Sequence, residues 1–142
     1  MGVLLDTHAL YWLVTSADVM TDAALVTIAD AQSTNALFVS PISAWELAIA
    51  AAKPAHKNPT SFGDASAGTW FSAAIRAIGA KVIPVGQRIA CLAAQAAVET
   101  DHRDPGDCYL IATARHRRIP IVSRDAVMLK LAASDYLQII RC

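Results

Sequence analysis

The segment from His102 to Asp125 constrains the fold more than any other part of the chain. It reads HRDPGDCYLIATARHRRIPIVSRD, a turn around Pro105-Gly106 followed by an apolar helix and a short strand, with acids at both ends. Such a unit gathers its carboxylates only when its strand lies in a parallel sheet beside another strand that ends in an acid. The start of the chain, VLLDTHAL, supplies that partner, because Asp6 follows an apolar run.

Strands and helices alternate along the whole sequence. We predict strands at 2–6, 36–40, 80–85, 119–123 and 136–140, and helices at 7–14, 18–30, 41–53, 69–78, 87–99, 105–118 and 126–133. This alternation implies right-handed crossovers and a mainly parallel sheet of about five strands covered by helices on both faces. The expected fold is therefore a three-layer α/β/α sandwich formed by one domain, residues 1–142.

Composition narrows the class of protein. The apolar fraction of 55% excludes a disordered chain. No apolar run reaches the length of a membrane span. The first residues do not resemble a signal peptide, because Asp6 and His8 interrupt the apolar run that a signal peptide requires. Three widely spaced cysteines without a CxxC pair suit a reducing compartment, so we expect a soluble, cytoplasmic protein without a membrane partner. The Pro-, Gly- and Ser-rich segment 54–68 is predicted to be an exposed loop that serves as a lid or a partner contact.

Four acids are candidates for one site. Asp6 and Asp125 follow predicted strands, and Asp107 lies in the first turn of a predicted helix, so each has an alternative role as a helix cap or a charge at a helix N-terminus. Glu46 differs, because it lies in the middle of the apolar helix ISAWELAIAAA without a cation one turn away. A carboxylate there is costly unless it faces solvent or a cation, and we predict that Glu46 faces a metal ion.

The motifs LLDTHALYWLV, VSPISAWELAIA, HRDPGDCYLIATA and IPIVSRD, taken together and in this order, resemble the PIN-domain ribonucleases. The likeness is greatest to the VapC-type toxins of bacterial toxin–antitoxin modules, and it covers nearly the whole chain. The resemblance implies that Asp6, Glu46, Asp107 and Asp125 are catalytic residues that bind one or two Mg²⁺ or Mn²⁺ ions. It also implies that Asp104 supports these ligands from the turn, and that the protein is a homodimer silenced by a cognate antitoxin.

The implied activity is endoribonuclease cleavage of RNA phosphodiester bonds by a metal-activated water. An all-carboxylate site without His or Cys suits hard cations, and the four His residues show no metal-binding spacing. Without metal, clustered carboxylates repel one another, so we expect raised pKa values and lower local stability. Two alternatives are a catalytically silent RNA- or protein-binding module and a small metal-dependent phosphohydrolase. The second is disfavoured because no aspartate stands two residues after Asp6 and no P-loop occurs.

Several further residues have two possible roles. Thr7 is expected to hydrogen-bond a ligand carboxylate or a bound water, or else to cap a helix. Arg115, Arg117 and Arg118 are candidate RNA-binding residues, or basic residues that complement a helix C-terminus. Arg124 is a candidate phosphate contact or an ion-pair partner. Relatives often carry a bulky residue in place of Gly106 and Arg in place of Cys108. The loss of that Arg weakens the expected contacts with the substrate backbone but touches none of the implied ligands.

Overall fold

The computed structural model describes residues 2–142 of the chain. Its strands are β1 (Val3–Leu5), β2 (Leu37–Val39), β3 (Lys81–Val82), β4 (Ile121–Ser123) and β5 (Ile139–Arg141). Its α-helices are α1 (Thr7–Thr15), α2 (Asp22–Ser33), α3 (Pro41–Ala51), α4 (Ala67–Ile78), α5 (Gln87–Thr100), α6 (Pro105–Arg117) and α7 (Ala126–Ala133). Within residues 2–142, no helix combines the length and the apolar character that crossing a bilayer requires.

All five strands pair in parallel, in the order β3-β2-β1-β4-β5. The central strand β1 pairs with β2 through Leu4 and Phe38, and with β4 through Leu4 and Ile121. The chain first builds the sheet on one side of β1 and later returns to the other side. The carboxyl ends of β1 and β4 therefore flank the topological switch point, where ligands bind in open parallel sheets.

Helices cover both faces of the sheet, which confirms the predicted three-layer sandwich. Val3 and Leu5 of β1 point into a core formed with α1, α2 and α4, whereas Leu4 points into a second core formed with α5, α6 and α7. Leu110 and Ile111 of α6 are almost fully buried in that second core. Because β1 is buried on both faces, its continuous apolar run is what a central parallel strand requires.

Several predicted boundaries are wrong by a few residues. Helix α2 begins at Asp22 rather than at residue 18, because the Thr21 side chain accepts a hydrogen bond from the Ala24 amide and caps the helix there. The last strand lies at Ile139–Arg141 rather than at 136–140. The strand predicted at 80–85 is shorter, because its ladder pairs with β2 are limited to Lys81 and Val82, and the Ile83 amide makes one further hydrogen bond to the Val39 carbonyl.

The segment predicted to be a loop at 54–68 ends at Ser66, whose hydroxyl caps α4 by accepting from the Thr69 amide. It contains a short 3₁₀ turn at Ala55–Lys57. The segment also touches the rest of the fold, because the Tyr11 hydroxyl donates to the Ser61 carbonyl at 3.3 Å and the Phe62 ring packs on Trp70.

Arg124 joins three parts of the chain beside the end of β4. Its guanidinium donates to the Asp18 carboxylate at 3.0 Å, to the Val19 carbonyl at 2.6 Å and to the Cys142 carbonyl at 3.1 Å. The guanidinium also lies 4.0 Å from the centre of the Trp12 ring. These contacts tie the α1–α2 connection and the C-terminus to the turn that carries Asp125.

We expect Arg124→Ala to lower the free energy of unfolding by about 1–3 kcal/mol, because three charge-assisted hydrogen bonds are lost together. Urea denaturation followed by circular dichroism measures this change. Arg103→Ala is the matched control, since among residues 2–142 Arg103 pairs with Asp101 alone and both side chains are more than four-fifths exposed. Its expected effect is within about 0.5 kcal/mol. Equal effects of the two variants would show that the Arg124 contacts contribute no more than a surface ion pair.

Candidate metal centre

Asp6 and Asp125 stand at the carboxyl ends of β1 and β4, and both are helix N-caps. One oxygen of Asp6 accepts a hydrogen bond from the Ala9 amide at 2.7 Å, and one oxygen of Asp125 accepts from the Met128 amide at 3.0 Å. Each cap uses one of the roughly four lone pairs of the carboxylate and fixes the side chain, which leaves other lone pairs available to further partners. Capping and ligand binding are therefore compatible roles rather than alternatives.

Glu46 reaches the same edge of the sheet from α3. Ser40 caps this helix and Pro41 begins it, so α3 starts directly after β2 and packs against α1 and α6. Glu46 is partly buried, and its Oε1 accepts a hydrogen bond of 2.7 Å from the Thr7 hydroxyl. The Thr7 oxygen lies 2.9 Å from the buried Ser43 hydroxyl. Because a hydroxyl donates only one hydrogen, Ser43 donates to Thr7 while Thr7 donates to Glu46.

Asp104 and Asp107 lie at the start of α6. Asp104 is the N-cap, and its side chain accepts from the Asp107 amide at 3.2 Å. The Asp107 carboxylate lies 2.8 Å from Nε2 of His102, which immediately follows the residue capping the end of α5. The turn between α5 and α6 therefore contributes two carboxylates and an imidazole that orients one of them.

Within residues 2–142, one group of acids brings an oxygen of each member within 4.8 Å of the others: Glu46, Asp104 and Asp107. Asp6 and Asp125 stand outside this closest group but act on it electrostatically, because Asp6 raises the pKa of Glu46 and Asp125 raises the pKa of Asp107. The predicted acids thus share one edge of the sheet. Asp104 belongs to the closest group, whereas the sequence assigned it only a supporting place.

Burial and mutual repulsion disfavour the charged forms of these carboxylates. Burial raises the pKa of Glu46 to about 7, against a smaller lowering by the Thr7 hydrogen bond and with further raising by Asp107, Asp104 and Asp6. Burial also raises the pKa values of Asp6, which is 6% exposed, and of Asp107. A divalent cation would relieve this repulsion, and a donor set of carboxylate oxygens suits Mg²⁺ or Mn²⁺. The residues present therefore fit the metal that the resemblance implies.

A cleft of about 390 Å³ opens beside the acids. Thr7, Glu46 and Asp104 form its polar wall. Tyr11, Trp45 and Ile49 form an apolar wall, and Trp45 and Ile49 are each 49% exposed. The cleft thus places exposed apolar surface next to the clustered negative charge.

The sequence profile of the PIN domain family matches residues 3–134. The chain belongs to the PIN domain family. No curated protein matches this PIN domain at a significant level of sequence similarity.

Solved structures share the fold of this PIN domain at low sequence identity. One is VapBC2 from Rickettsia felis bound to a promoter DNA fragment, with a TM-score of 0.68, 12% identity, and coverage of 99% of this chain and 98% of that chain. DNA-bound VapBC from Salmonella typhimurium gives 0.65 at 15% identity, covering 99% and 98%. VapBC-5 from Mycobacterium tuberculosis, of the VapBC family of toxin–antitoxin systems, gives 0.59 at 17% identity, covering 100% of both chains.

The basic cluster at the end of α6 lies away from the acids. Arg115 and Arg117 are in the last turn of α6, and Arg118 caps its end in a left-handed conformation. Asp107 is in the first turn, so about 12 Å of helix axis separates it from Arg115. Arg115 lies 3.8 Å from Glu99 and over the Tyr136 ring. This position agrees with the alternative role of complementing the helix C-terminus.

Arg124 stands beside Asp125 in sequence, but its guanidinium is bonded to Asp18 and to two carbonyl groups. The ion-pair alternative for Arg124 is therefore present in the structure, and its contact with RNA stays a prediction. The RNA-binding roles of Arg115, Arg117 and Arg118 likewise stay predictions.

Sequence reasoning missed two residues that help to orient the acids. His102 contacts Asp107, and Ser43 donates to Thr7, which in turn donates to Glu46. A hydrogen bond from Ser123 lowers the pKa of Asp6. His102 stands five residues before Asp107, outside the spacings that suggest a metal site, so only the short α5–α6 connection signals its position. The expected hydrogen bond between Thr7 and an acidic side chain is present. Whether Glu46 binds a metal stays a prediction.

We expect the metal-free PIN domain to lose stability between pH 5 and pH 8. The pKa of Glu46 in the folded protein, about 7, lies above its ordinary value of 4.5. Its stabilising contribution is therefore fully present below pH 4.5 and is lost as the pH rises through 7. The raised pKa values of Asp6 and Asp107 act in the same direction. Thermal unfolding in EDTA across this pH range measures the loss.

At pH 8 in EDTA, Glu46→Gln is expected to be more stable than the wild type by about 1–2 kcal/mol, after discounting for partial exposure. Glu99→Gln is the control, because the Tyr136 hydrogen bond lowers the pKa of Glu99 and its neutralisation relieves no repulsion. A wild-type stability that rises between pH 5 and pH 8 would contradict the assigned burial of charge.

Proposed function

We propose that this PIN domain is a Mg²⁺- or Mn²⁺-dependent endoribonuclease and the toxin of a toxin–antitoxin pair. The observation that carries the proposal is the gathering of acids from four separate parts of the chain at the topological switch point. A structural role does not explain this arrangement, because uncompensated buried carboxylates destabilise the fold. The neighbours named VapBC, one of them described as a toxin–antitoxin system, support the second part of the proposal.

In this proposal the metal is held by carboxylate oxygens of Asp6, Glu46, Asp107 and Asp125, with Asp104 beside them. When bound, a divalent cation lowers the pKa of the attacking water and neutralises the negative charge that develops on the phosphate. The chain contributes prepositioned ligands. Helix capping fixes Asp6 and Asp125, and hydrogen bonds from Thr7 and His102 orient Glu46 and Asp107.

The cleft suits two successive occupants in this scheme. RNA approaches the acids along the side of the cleft that carries Lys53, a basic residue of the cleft wall. The antitoxin covers the exposed apolar surface of Trp45 and Ile49, which a protein partner buries more favourably than water does. We further propose a homodimer in the cytoplasm, in keeping with the family resemblance.

We expect the purified protein to cleave total cellular RNA into discrete products with Mg²⁺ or Mn²⁺ and not with EDTA. Glu46→Gln and Asp6→Asn should each lower the rate by at least about 100-fold, because each removes a negative ligand. Asn retains the helix cap of Asp6, so the fold is expected to survive this change. Gel analysis of 5′-labelled RNA after timed incubation measures the rates.

Asp30→Asn is the matched control, since Asp30 is an exposed acid on α2 away from the site, and it should retain the wild-type rate. Cleavage that persists in EDTA and in Glu46→Gln would identify a contaminating nuclease. A folded, metal-binding preparation free of antitoxin that cleaves no RNA would overturn the proposal in favour of a catalytically silent binding module.

A further inference from the structure

Gly106 lies directly against the carboxylate of Glu46. A Cβ atom built on Gly106 would stand 2.7 Å from Cδ, 2.8 Å from Oε2 and 3.1 Å from Oε1 of Glu46. All three distances are shorter than ordinary contacts between heavy atoms, which begin at about 3.4–3.5 Å. The whole carboxylate of Glu46 therefore occupies the volume that any side chain at position 106 would require.

Backbone conformation does not explain this glycine. Gly106 is the second residue of α6, and it is not among the positive-φ glycines of the described chain, Gly63 and Gly79. A helical glycine is less favourable than alanine at the same place, because it loses more conformational freedom on folding. The contact with Glu46 is thus the feature at this position that excludes a larger residue.

We propose that Gly106 is a positioning residue, whose missing side chain seats the Glu46 carboxylate beside Asp104 and Asp107 for binding of a divalent cation. The inference rests on the proposed metal-dependent function and adds a residue to that site. Three observations agree on the seat. The Thr7 hydroxyl holds one oxygen of Glu46, α6 lies against the carboxylate, and an oxygen of each acid lies within 4.8 Å of the others.

Alanine at position 106 would move Glu46 rather than unfold the protein. The clashing atoms are the end of a flexible side chain, so the carboxylate swings away while the backbone of α6 stays in place. The displacement breaks the Thr7 hydrogen bond and separates Glu46 from Asp104 and Asp107. Metal–ligand distances lie within about 0.2 Å of their preferred values, so a carboxylate held apart from the other acids no longer completes the ligand set.

We expect Gly106→Ala to raise the Kd for Mn²⁺, measured by isothermal titration calorimetry, by about 10- to 100-fold. The melting temperature of the metal-free protein should stay unchanged or rise, since alanine favours the helix. Gly68→Ala is the matched control, because Gly68 is the second residue of α4 and has no heavy atom within 4 Å of a built Cβ. It should bind Mn²⁺ with the wild-type Kd.

A shorter acid tests the steric cause. In the Gly106→Ala background, Glu46→Asp withdraws the carboxylate by one methylene and makes room for the new methyl group. The double variant should bind Mn²⁺ about tenfold more tightly than Gly106→Ala alone, whereas Glu46→Asp by itself should weaken binding. A metal-free crystal structure of Gly106→Ala should show Glu46 displaced and its bond to Thr7 broken.

The outcomes separate this inference from the nuclease proposal. Gly106→Ala binding of Mn²⁺ within twofold of the wild type, or Glu46 remaining bonded to Thr7 in the variant, would overturn the role of Gly106 while RNA cleavage by the wild type still stands. Wild-type protein that binds Mn²⁺ in a Gly106-dependent manner but cleaves no RNA would retain the role of Gly106 and remove the nuclease. Wild-type protein that binds no Mn²⁺ would overturn both.

Discussion

Repulsion among carboxylates at one edge of the sheet is the constraint on which the rest of the structure depends. Five acids share this edge, and burial of Asp6, Glu46 and Asp107 makes their charges costly. Three helices offset part of that cost, because Asp6, Asp104 and Asp125 are the N-caps of α1, α6 and α7. The N-termini of helices carry partial positive charge, so the fold directs three such termini toward its negative site.

Much of this arrangement follows from local sequence patterns. Asp6 and Asp125 were recognised as site candidates because each follows a short apolar run that predicts a strand. Glu46 was recognised because a carboxylate on an apolar helix is costly without a cation. The patterns posed capping and site formation as alternatives for Asp6 and Asp125. The structure shows that one oxygen of each caps a helix. A local pattern cannot separate the two roles, since both require the same residue at the same place.

The sequence alone could not predict contacts between distant segments. The approach of Glu46 to Gly106 depends on how α3 packs against α6. In the sequence, glycine at position 106 is visible only as a departure from the family pattern. Two partners of Arg124, Asp18 and Val19, lie more than 100 positions earlier in the chain, so the sequence allowed an ion pair for this residue but could not name its partner. The sequence placed the basic cluster correctly at the end of α6. The length of this helix, however, separates the cluster from the acids at its start.

The order of strands has a consequence for how the protein is made. β1 is translated before the other four strands of the sheet, yet one of its two neighbours is β4, which ends at Ser123. Until that strand has left the ribosome, the central strand has an open edge and Asp125 has not joined Asp6. Domains fold as units once their residues have emerged, and contacts between distant residues form slowly. The acidic edge is therefore completed only after residues 121–125 have emerged, because the pairing of β1 with β4 is what brings Asp125 to the side of Asp6.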